Sequence, residues 1–370
     1  MSRRIVLWCK LHRWSSLACT VFLLLLCVSG LPLVLRADLD RWLSGNGAGP
    51  APAVGLEQLE RMVQAAERLH PGAGVTSASI DEDAARVSLG LVPKGDGEPA
   101  EALQLRFHAA SGELLTGQEQ AWKGFEPFMD LLFSLHTDMF AGLAGALFLG
   151  AMALLFLVAI VSGVLLYGPF TQKLAFGTIR RERSARIRWL DMHNLLGIVT
   201  LCWALMVGVT GAINELSLPL YQRWLAADVQ PILAAWQGRS LPPRGQAAPM
   251  LDAVRAARPL MAGQTLARVM SPGDVSPWHF ALMVHGDTPQ TAWRYDMILV
   301  DAQTAAQAER VPMPWYMVAL VLSRPFHFGN FGGLPLKLLW CVLDVMTIVV
   351  LGSGLCLWWP RRRASAKAKA

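Results

Sequence analysis

Four long apolar stretches restrict the fold of this chain more than any other feature. They occupy roughly residues 11–35, 140–167, 189–216 and 334–359. A helix needs about 20 apolar residues to cross a bilayer, and each stretch is long enough to supply them. The composition agrees, because 54% of the 370 residues are hydrophobic and only 16% are charged, which is too apolar for an ordinary soluble domain. We therefore predict a multi-pass α-helical protein whose first partner is the lipid bilayer.

The positions of Lys and Arg predict how the chain is oriented. The loop at 168–189 carries six basic residues against the single acid Glu182, and both the N-terminus and the tail at 361–370 are basic. Because cytoplasmic loops are enriched in Lys and Arg, we place this loop and both termini in the cytoplasm of a bacterium, with the chain in its inner membrane. The net charge of +6 then reflects topology and indicates no nucleic-acid partner. The first stretch lacks a small-residue cleavage site and is predicted to be a retained anchor.

Fixed spacings reveal an internal repeat. The same 18-residue distance separates His12 from Gly30 and His193 from Gly211. A 27-residue distance likewise separates His136 from Gly163 and His327 from Gly354. Agreement at such offsets without gaps indicates a tandem duplication of one unit, made of a helix, an outer domain and a second helix. Both copies enter the membrane from the same side, which predicts parallel repeats.

The outer segments predict two small α+β modules. "GLEQLERMVQAAERL" and "APMLDAVRAARPL" have helical periodicity, and several short strand-like runs follow each of them. The predicted boundaries are transmembrane helices at 1–39, 131–168, 189–217 and 327–360, periplasmic modules at 40–130 and 218–326, a basic cytoplasmic loop at 169–188, and a basic cytoplasmic tail at 361–370.

Four of the eight histidines occupy corresponding places in the duplication. His12 and His193 lie near the predicted cytoplasmic ends of the first and third spans. His136 and His327 lie near the predicted periplasmic ends of the second and fourth spans. A single His at such a position is explained by a hydrogen bond to a headgroup or a carbonyl. Four that are related by the repeat favour a functional role, because ionisable groups in membrane segments usually serve function.

Two opposed imidazoles are typical ligands for a haem iron. A zinc site needs three or four protein ligands, and no Asp, Glu or Cys repeats together with these histidines. A porphyrin supplies four nitrogens itself and needs only two axial ligands. No Cys-x-x-Cys-His sequence occurs, so a haem would be non-covalent and of b type. The glycines that follow His136 and His327, together with Gly163 and Gly354, would let a macrocycle approach the backbone, or they serve ordinary small-residue helix packing.

Three segments resemble the PepSY-associated transmembrane family. They are "KLHRWSSLACTVFLLLLCVSGLPLVLRADLDRWL", "LLFSLHTDMFAGLAG" and "DMHNLLGIVTLCWALMVGVTGAI". The resemblance covers essentially the whole chain and implies PepSY-type outer modules and two non-covalent haem b groups. The implied axial ligands are His12, His136, His193 and His327. "SRPFHFGNFGG" departs from the pattern, with Phe where Leu precedes the other outer histidine, but it keeps the ligand.

The family includes iron-uptake-linked inner-membrane proteins and dihaem ferric-siderophore reductases. The resemblance therefore implies an oxidoreductase that moves electrons from the cytoplasmic side to a periplasmic ferric siderophore or other ferric chelate. Arg13 and Arg324 are candidates to pair with haem propionates, and interfacial anchoring by snorkelling explains them equally well. No Gly-x-Gly-x-x-Gly motif follows a strand, so the donor is expected to be a separate protein, a soluble reductant or a membrane quinol.

Two other functional classes stay open at this level. One is a haem-free regulatory or scaffold protein whose PepSY-type modules bind peptides or peptidases. The other is a transporter, which only the parallel repeats support. No residue pattern identifies a catalytic side chain or a surface that contacts the chelate.

The charge pattern predicts the result of a topology experiment. Alkaline phosphatase is active only after export, so a fusion after Ala370 should be inactive and a fusion within 40–130 should be active in the same cells. Green fluorescent protein fluoresces only when it folds in the cytoplasm. Fused after Ala370 it should therefore be fluorescent, and fused within 40–130 it should not. An active phosphatase after Ala370 would invert the predicted orientation.

Overall fold

The computed structural model describes residues 2–44, 54–82, 84–93, 103–115, 125–172, 174–241, 247–288 and 291–367, with side chains in the last range described to residue 359. The chain forms two compact units. The first, here called the helical unit, comprises the residues up to Arg36, Pro127–Leu218 and the residues from Leu322 onward. The second, the sheet unit, comprises Ala37–Glu126 and Pro219–Val321.

The helices and strands are numbered separately here in chain order. The α-helices are α1 (Arg3–Val34), α2 (Arg36–Ser44), α3 (Leu56–Leu69), α4 (Glu126–Thr137), α5 (Gly142–Thr171), α6 (Ala185–Val199), α7 (Leu201–Asn214), α8 (Ser217–Trp224), α9 (Gln230–Ala234), α10 (Met250–Ala257), α11 (Trp315–Phe328) and α12 (Gly333–Lys367). The strands are β1 (Ala73–Asp81), β2 (Arg86–Pro93), β3 (Leu103–His108), β4 (Gln264–Met270), β5 (His279–Gly286), β6 (Tyr295–Asp301) and β7 (Ala308–Val311).

Three helices among the described residues are long and apolar enough to cross a membrane. They lie at Arg3–Leu43, Gly142–Thr171 and Asn330–Trp359, and the pair α6 and α7 provides a fourth span if the two count as one. This pair is bent by 67°, whereas the sequence predicts one helix over 189–217. Thr200 lies at the bend, and its hydroxyl donates to the Leu196 carbonyl at 2.9 Å. Such a bond back to the preceding turn is a known cause of helix bending.

The second and fourth predicted spans are each interrupted near their first turn. Met139, Phe140 and Gly142 have φ of 52°, 60° and 55°, and Gly329 and Gly333 have φ of 69° and 63°. Backbone in this left-handed region ends an α-helix. As a result His136 lies in the last turn of the short helix α4, and His327 lies in the last turn of α11. The predicted helices at 131–168 and 327–360 are therefore short helices followed by the long helices α5 and α12.

The strands of the two predicted modules form a single sheet. The strand order is β3-β2-β1-β4-β5-β6-β7, and each neighbouring pair is antiparallel. Residues Ala78 and Ser79 of β1 pair with Val269 and Arg268 of β4, which joins the modules that the sequence predicts as separate. An edge strand exposes unpaired backbone groups, so this pairing removes one free edge from each half.

Helices α3 and α10 cover one face of the sheet and complete an α+β arrangement. Every second residue of a strand faces the same side, and Leu89 and Leu91 of β2 lie in one buried cluster with Leu282 of β5. Met62 of α3 and Ala253 of α10 belong to the same cluster and are 0% exposed. Both halves of the chain thus contribute to one hydrophobic core.

A buried histidine predicts pH-dependent stability in the sheet unit. His285 of β5 donates from Nδ1 to the Gly286 carbonyl at 2.9 Å, and its Nε2 lies 3.5 Å from a Glu82 carboxylate oxygen. The hydrogen bond to Glu82 raises the pKa of His285 above its usual value, against the effect of burial. The resulting stabilisation is fully present below about pH 6.5, the ordinary pKa of His, and is lost as pH rises through the raised folded pKa.

Replacing His285 by Gln should therefore destabilise β5 most at mildly acidic pH, and the difference from the parent should shrink as pH rises. Hydrogen exchange of β5 peptides in the full-length protein, corrected for intrinsic exchange rates, measures the local opening free energy. Glu82→Gln should produce the same pH trend. In the double variant, Glu82→Gln should not lower the local opening free energy of β5 beyond the effect of His285→Gln alone. A difference that grew with pH would contradict the assigned ion pair.

Candidate functional site

The four repeated histidines form two pairs in the helical unit. The ring centroids of His12 and His193 lie 6.3 Å apart with an interplanar angle of 76°. The centroids of His136 and His327 lie 6.4 Å apart with an angle of 64°. These are the pairs that the duplication predicts, and each pair takes one histidine from each half of the chain. All four side chains are only partly buried.

A backbone carbonyl accepts from Nδ1 in three of these rings. The acceptors are the carbonyl of Ala159 for His12 at 2.9 Å, of Val350 for His193 at 3.1 Å and of Val207 for His327 at 3.2 Å, and His136 forms a hydrogen bond with the backbone of Leu26. A carbonyl oxygen only accepts, so Nδ1 carries the proton in these three rings. In the neutral ring this leaves a lone pair on Nε2, which is the atom that binds a metal.

A hydroxyl group provides a second acceptor for each Nδ1. The oxygens of Ser29, Ser353, Thr210 and Ser162 lie 3.0, 3.0, 3.2 and 3.3 Å from the Nδ1 atoms of His136, His193, His327 and His12. Each hydroxyl donates to a carbonyl of its own helix at 2.7–2.8 Å, which leaves its lone pairs for the histidine. Metal-binding histidines are commonly held by such a bond from the opposite ring nitrogen.

A glycine lies against each ring and directly follows the hydroxyl residue in sequence. A Cβ placed on the glycine would lie 3.0 Å from the Cε1 of His136 at Gly30, 3.2 Å from that of His12 at Gly163, 3.2 Å from that of His327 at Gly211, and 3.7 Å from that of His193 at Gly354. The contacts are reciprocal within each half. In the first half, His12 faces Gly163 of α5 while His136 faces Gly30 of α1.

The separation of the ring centroids in each pair is compatible with one metal ion bound by both imidazoles. An imidazole nitrogen lies about 1.1 Å from its ring centroid and binds a metal at about 2.0–2.1 Å, so two opposed rings have centroids about 6.3 Å apart. The measured separations are 6.3 and 6.4 Å. No group of three or more His, Cys, Asp or Glu side chains comes together in the part of the chain that the structure describes. Each pair thus offers two imidazoles, without a third such side chain among the described residues.

The structure shows no contact between the predicted arginines and the paired rings among the described residues. Arg13 is exposed, with its guanidinium 5.4 Å from the centroid of the Trp14 ring, and Arg324 is exposed without an ion pair to any described residue. Their pairing with propionates stays a prediction. Among the glycines after His136 and His327, Gly142, Gly329 and Gly333 have positive φ and Gly145 lies within α5, and their approach to a macrocycle stays a prediction. At Gly145 a Cβ would meet the Asp138 carbonyl, and at Gly329 it would meet the Trp340 ring.

The spacing of residues along the chain does not predict that Ser and Thr hydroxyls are hydrogen-bond partners of the four histidines. All four spans carry a Ser or Thr directly before the glycine that a histidine contacts, and these pairs are Ser29-Gly30, Ser162-Gly163, Thr210-Gly211 and Ser353-Gly354. The repetition of this dipeptide was a signal available in the sequence. Its role depends on which neighbouring helix presents the histidine, and spacing along one helix does not contain that information.

Comparison with known proteins assigns the chain to a family. A family model described as the PepSY-associated TM region matches residues 9–361. The chain belongs to that family. The matched region includes all four paired histidines and all four Ser/Thr–Gly pairs. Together with the long apolar helices, the family indicates a membrane protein.

A relative in Pseudomonas aeruginosa (strain PAO1) is described as "Uncharacterized protein PA4219". It is 27% identical over an alignment of 265 residues that covers 66% of this chain and 66% of the relative. The match thus spans slightly less than two thirds of the relative's length.

The glycine contacts predict unequal effects of the same substitution. Alanine at Gly30 would place Cβ 3.0 Å from His136, whereas alanine at Gly354 would place it 3.7 Å from His193, an ordinary contact distance. Because alanine otherwise favours a helix by up to about 1 kcal/mol, Gly354→Ala should be neutral or stabilising. Gly30→Ala should lower the thermal midpoint of the detergent-purified protein, measured as the fraction that remains monodisperse after heating. Equal midpoints for the two variants would contradict the close contact at Gly30.

Proposed function

We propose that this protein is an inner-membrane oxidoreductase that binds two non-covalent haem b groups and delivers electrons to a ferric chelate, such as a ferric siderophore, on the periplasmic side. The observation that carries the proposal is the pair of His–His arrangements with ring centroids 6.3 and 6.4 Å apart. In each arrangement Nδ1 is held by a carbonyl and a hydroxyl, so that Nε2 is available as a ligand.

The number of ligands favours haem over other metal groups. Each site offers two imidazoles, and a haem iron needs two axial ligands, whereas protein-bound zinc needs more protein groups than this. When bound, haem b supplies one-electron exchange between Fe³⁺ and Fe²⁺. The chain's contribution is to fix the imidazole tautomer, to set the ring orientation and to surround the pairs with apolar helices. Those factors adjust the reduction potential of a bound haem.

The reciprocal histidine–glycine contacts support a tandem repeat with one pair toward each membrane face. Each half contributes one His–Gly contact near the start of its first span and one near the end of that span. The basic loop supports the orientation. Arg180 pairs with Asp191 at 2.6 Å, and Arg181, Arg183 and Arg186 of the same loop stay exposed. We therefore assign His12 and His193 to the cytoplasmic side, and His136 and His327 to the periplasmic side.

The proposed reaction reduces Fe³⁺ in the chelate to Fe²⁺ by one electron. Hard oxygen donors hold Fe²⁺ less tightly than Fe³⁺, so the reduction promotes release of the iron. The electron comes from a cytoplasmic protein, a soluble reductant or a membrane quinol, because the described residues form no nicotinamide-binding or flavin-binding domain. This direction of transfer follows from the assigned topology.

A haem assay on single-histidine variants tests the proposal. Protein produced with ample haem should contain two haems per chain by the pyridine haemochrome method. His327→Ala and His193→Ala should each lose one low-spin bis-imidazole signal and keep the other. The His327→Ala protein should still accept an electron from the cytoplasmic-side donor but should no longer be reoxidised by a ferric chelate. Spin state and haem content provide readouts that do not depend on activity.

A substitution of a histidine in the sheet unit, outside the two pairs, provides the matched control. His108→Ala removes an imidazole that contacts Ser111 in a turn, and it should retain both haems. Monodispersity in detergent must be equal for all variants, since a bound cofactor stabilises the folded state and its loss destabilises it. A well-folded parent protein without haem would end the proposal. Loss of both signals in one monodisperse variant would contradict the pairing of one site with each histidine pair.

A further inference from the structure

The sheet unit contains a cleft that the proposed electron transfer does not use. It lies beside the start of β5 and the end of β6, where His279 and Asp301 are paired across the two strands. The cleft has a volume of about 280 Å³, and its lining residues are Trp236, Arg239, Ser240, Trp278, Asp301 and Gln303. None of the four paired histidines belongs to it.

The aromatic wall of the cleft is held in place by several contacts. The Arg239 guanidinium lies 4.0 Å from the centroid of the Trp236 ring, and the His279 ring lies 4.3 Å from it at an angle of 70°. His279 is only 3% exposed and is hydrogen-bonded through Nδ1 to the Ser276 hydroxyl at 2.8 Å. Trp278 donates from Nε1 to the Arg239 carbonyl at 3.3 Å. The two indoles are thus fixed before any ligand binds.

Arg239 gives the cleft an available positive charge. It is exposed and makes no ion pair with a described residue. The Asp301 carboxylate also lines the cleft, and it accepts from the backbone N–H of Gln303 at 2.9 Å and from the Thr304 hydroxyl at 2.5 Å, which hold it in its own turn. Stacking on an indole leaves the N–H groups at the edge of a guanidinium free, and these bind a carboxylate in a bidentate manner.

Size and shape restrict the ligand further. Pockets for drug-sized molecules are usually about 300–1,000 Å³, and an apolar cavity of about 150 Å³ holds one benzene. A cleft of about 280 Å³ therefore has room for one ring with a small substituent. Indole faces favour a planar aromatic ring in offset or edge-to-face contact. We propose that this cleft is a binding site for a small aromatic carboxylate, with the ring against Trp236 and Trp278 and the carboxylate on Arg239.

Binding of 4-fluorobenzoate to the full-length detergent-purified protein, followed by ¹⁹F NMR, tests the site. Binding should be saturable, and unlabelled benzoate should compete. Cyclohexanecarboxylate, which lacks the aromatic ring, and benzamide, which lacks the charge, should compete about ten-fold more weakly or worse. Arg239→Gln should weaken binding by about ten-fold or more, because it removes a charge-assisted hydrogen bond. Arg294→Gln removes an exposed charge elsewhere in the sheet unit and should have no effect.

The variants keep this inference separate from haem binding. His193→Ala and His327→Ala should bind 4-fluorobenzoate with the same affinity as the parent protein. The test of the cleft therefore does not depend on whether the electron-transfer proposal is correct. Arg239→Lys keeps the charge but loses the planar fork, and its affinity should lie between those of the parent and Arg239→Gln. Absence of saturable binding, equal affinity for Arg239→Gln, or equal competition by cyclohexanecarboxylate would each overturn the proposed site.

Discussion

The hydrogen bond from a histidine Nδ1 to a helix carbonyl is the contact on which the helical unit depends. The accepting carbonyl always lies four residues before the glycine that the ring faces, as Ala159 lies before Gly163. In an α-helix that carbonyl already accepts from the N–H of the glycine, and its second lone pair is free for the histidine. The missing Cβ lets the ring reach this lone pair. The hydroxyl of the residue before the glycine then supplies the second acceptor. The carbonyl, the glycine and the hydroxyl of one helix together form the binding position for an imidazole, here called a notch.

This notch also explains how the helices are held together in lipid. Apolar side chains provide little driving force for helix association there, so close packing at small residues and hydrogen bonds between helices carry more of the stability. Each half of the chain has two such notches, one near each end of its helix pair. A polar ring in an apolar environment is costly unless it is hydrogen-bonded, and here Nδ1 is satisfied while Nε2 remains available. The same contact therefore orients the imidazole and holds two helices close together.

Sequence patterns predict the apolar spans and the histidine pairs because length and offset along the chain determine them directly. They miss features that depend on contacts between distant residues. Nothing in the identity of Met139 or Phe140 signals a positive φ, and the joining of two modules through β1 and β4 is a non-local pairing of strand edges. The site shows the same division. His136 is identifiable from its spacing to Gly163, yet the glycine that it contacts is Gly30, in a helix that precedes it by about 100 residues.

Neither half of the chain is complete without the other. Each histidine pair takes one ring from each half, and the sheet is continuous only because β1 of the first half pairs with β4 of the second. A single half would present two unpaired rings and an open strand edge, and both defects favour association with another copy. Because the two halves belong to one chain, the effective concentration of one half for the other is independent of expression level.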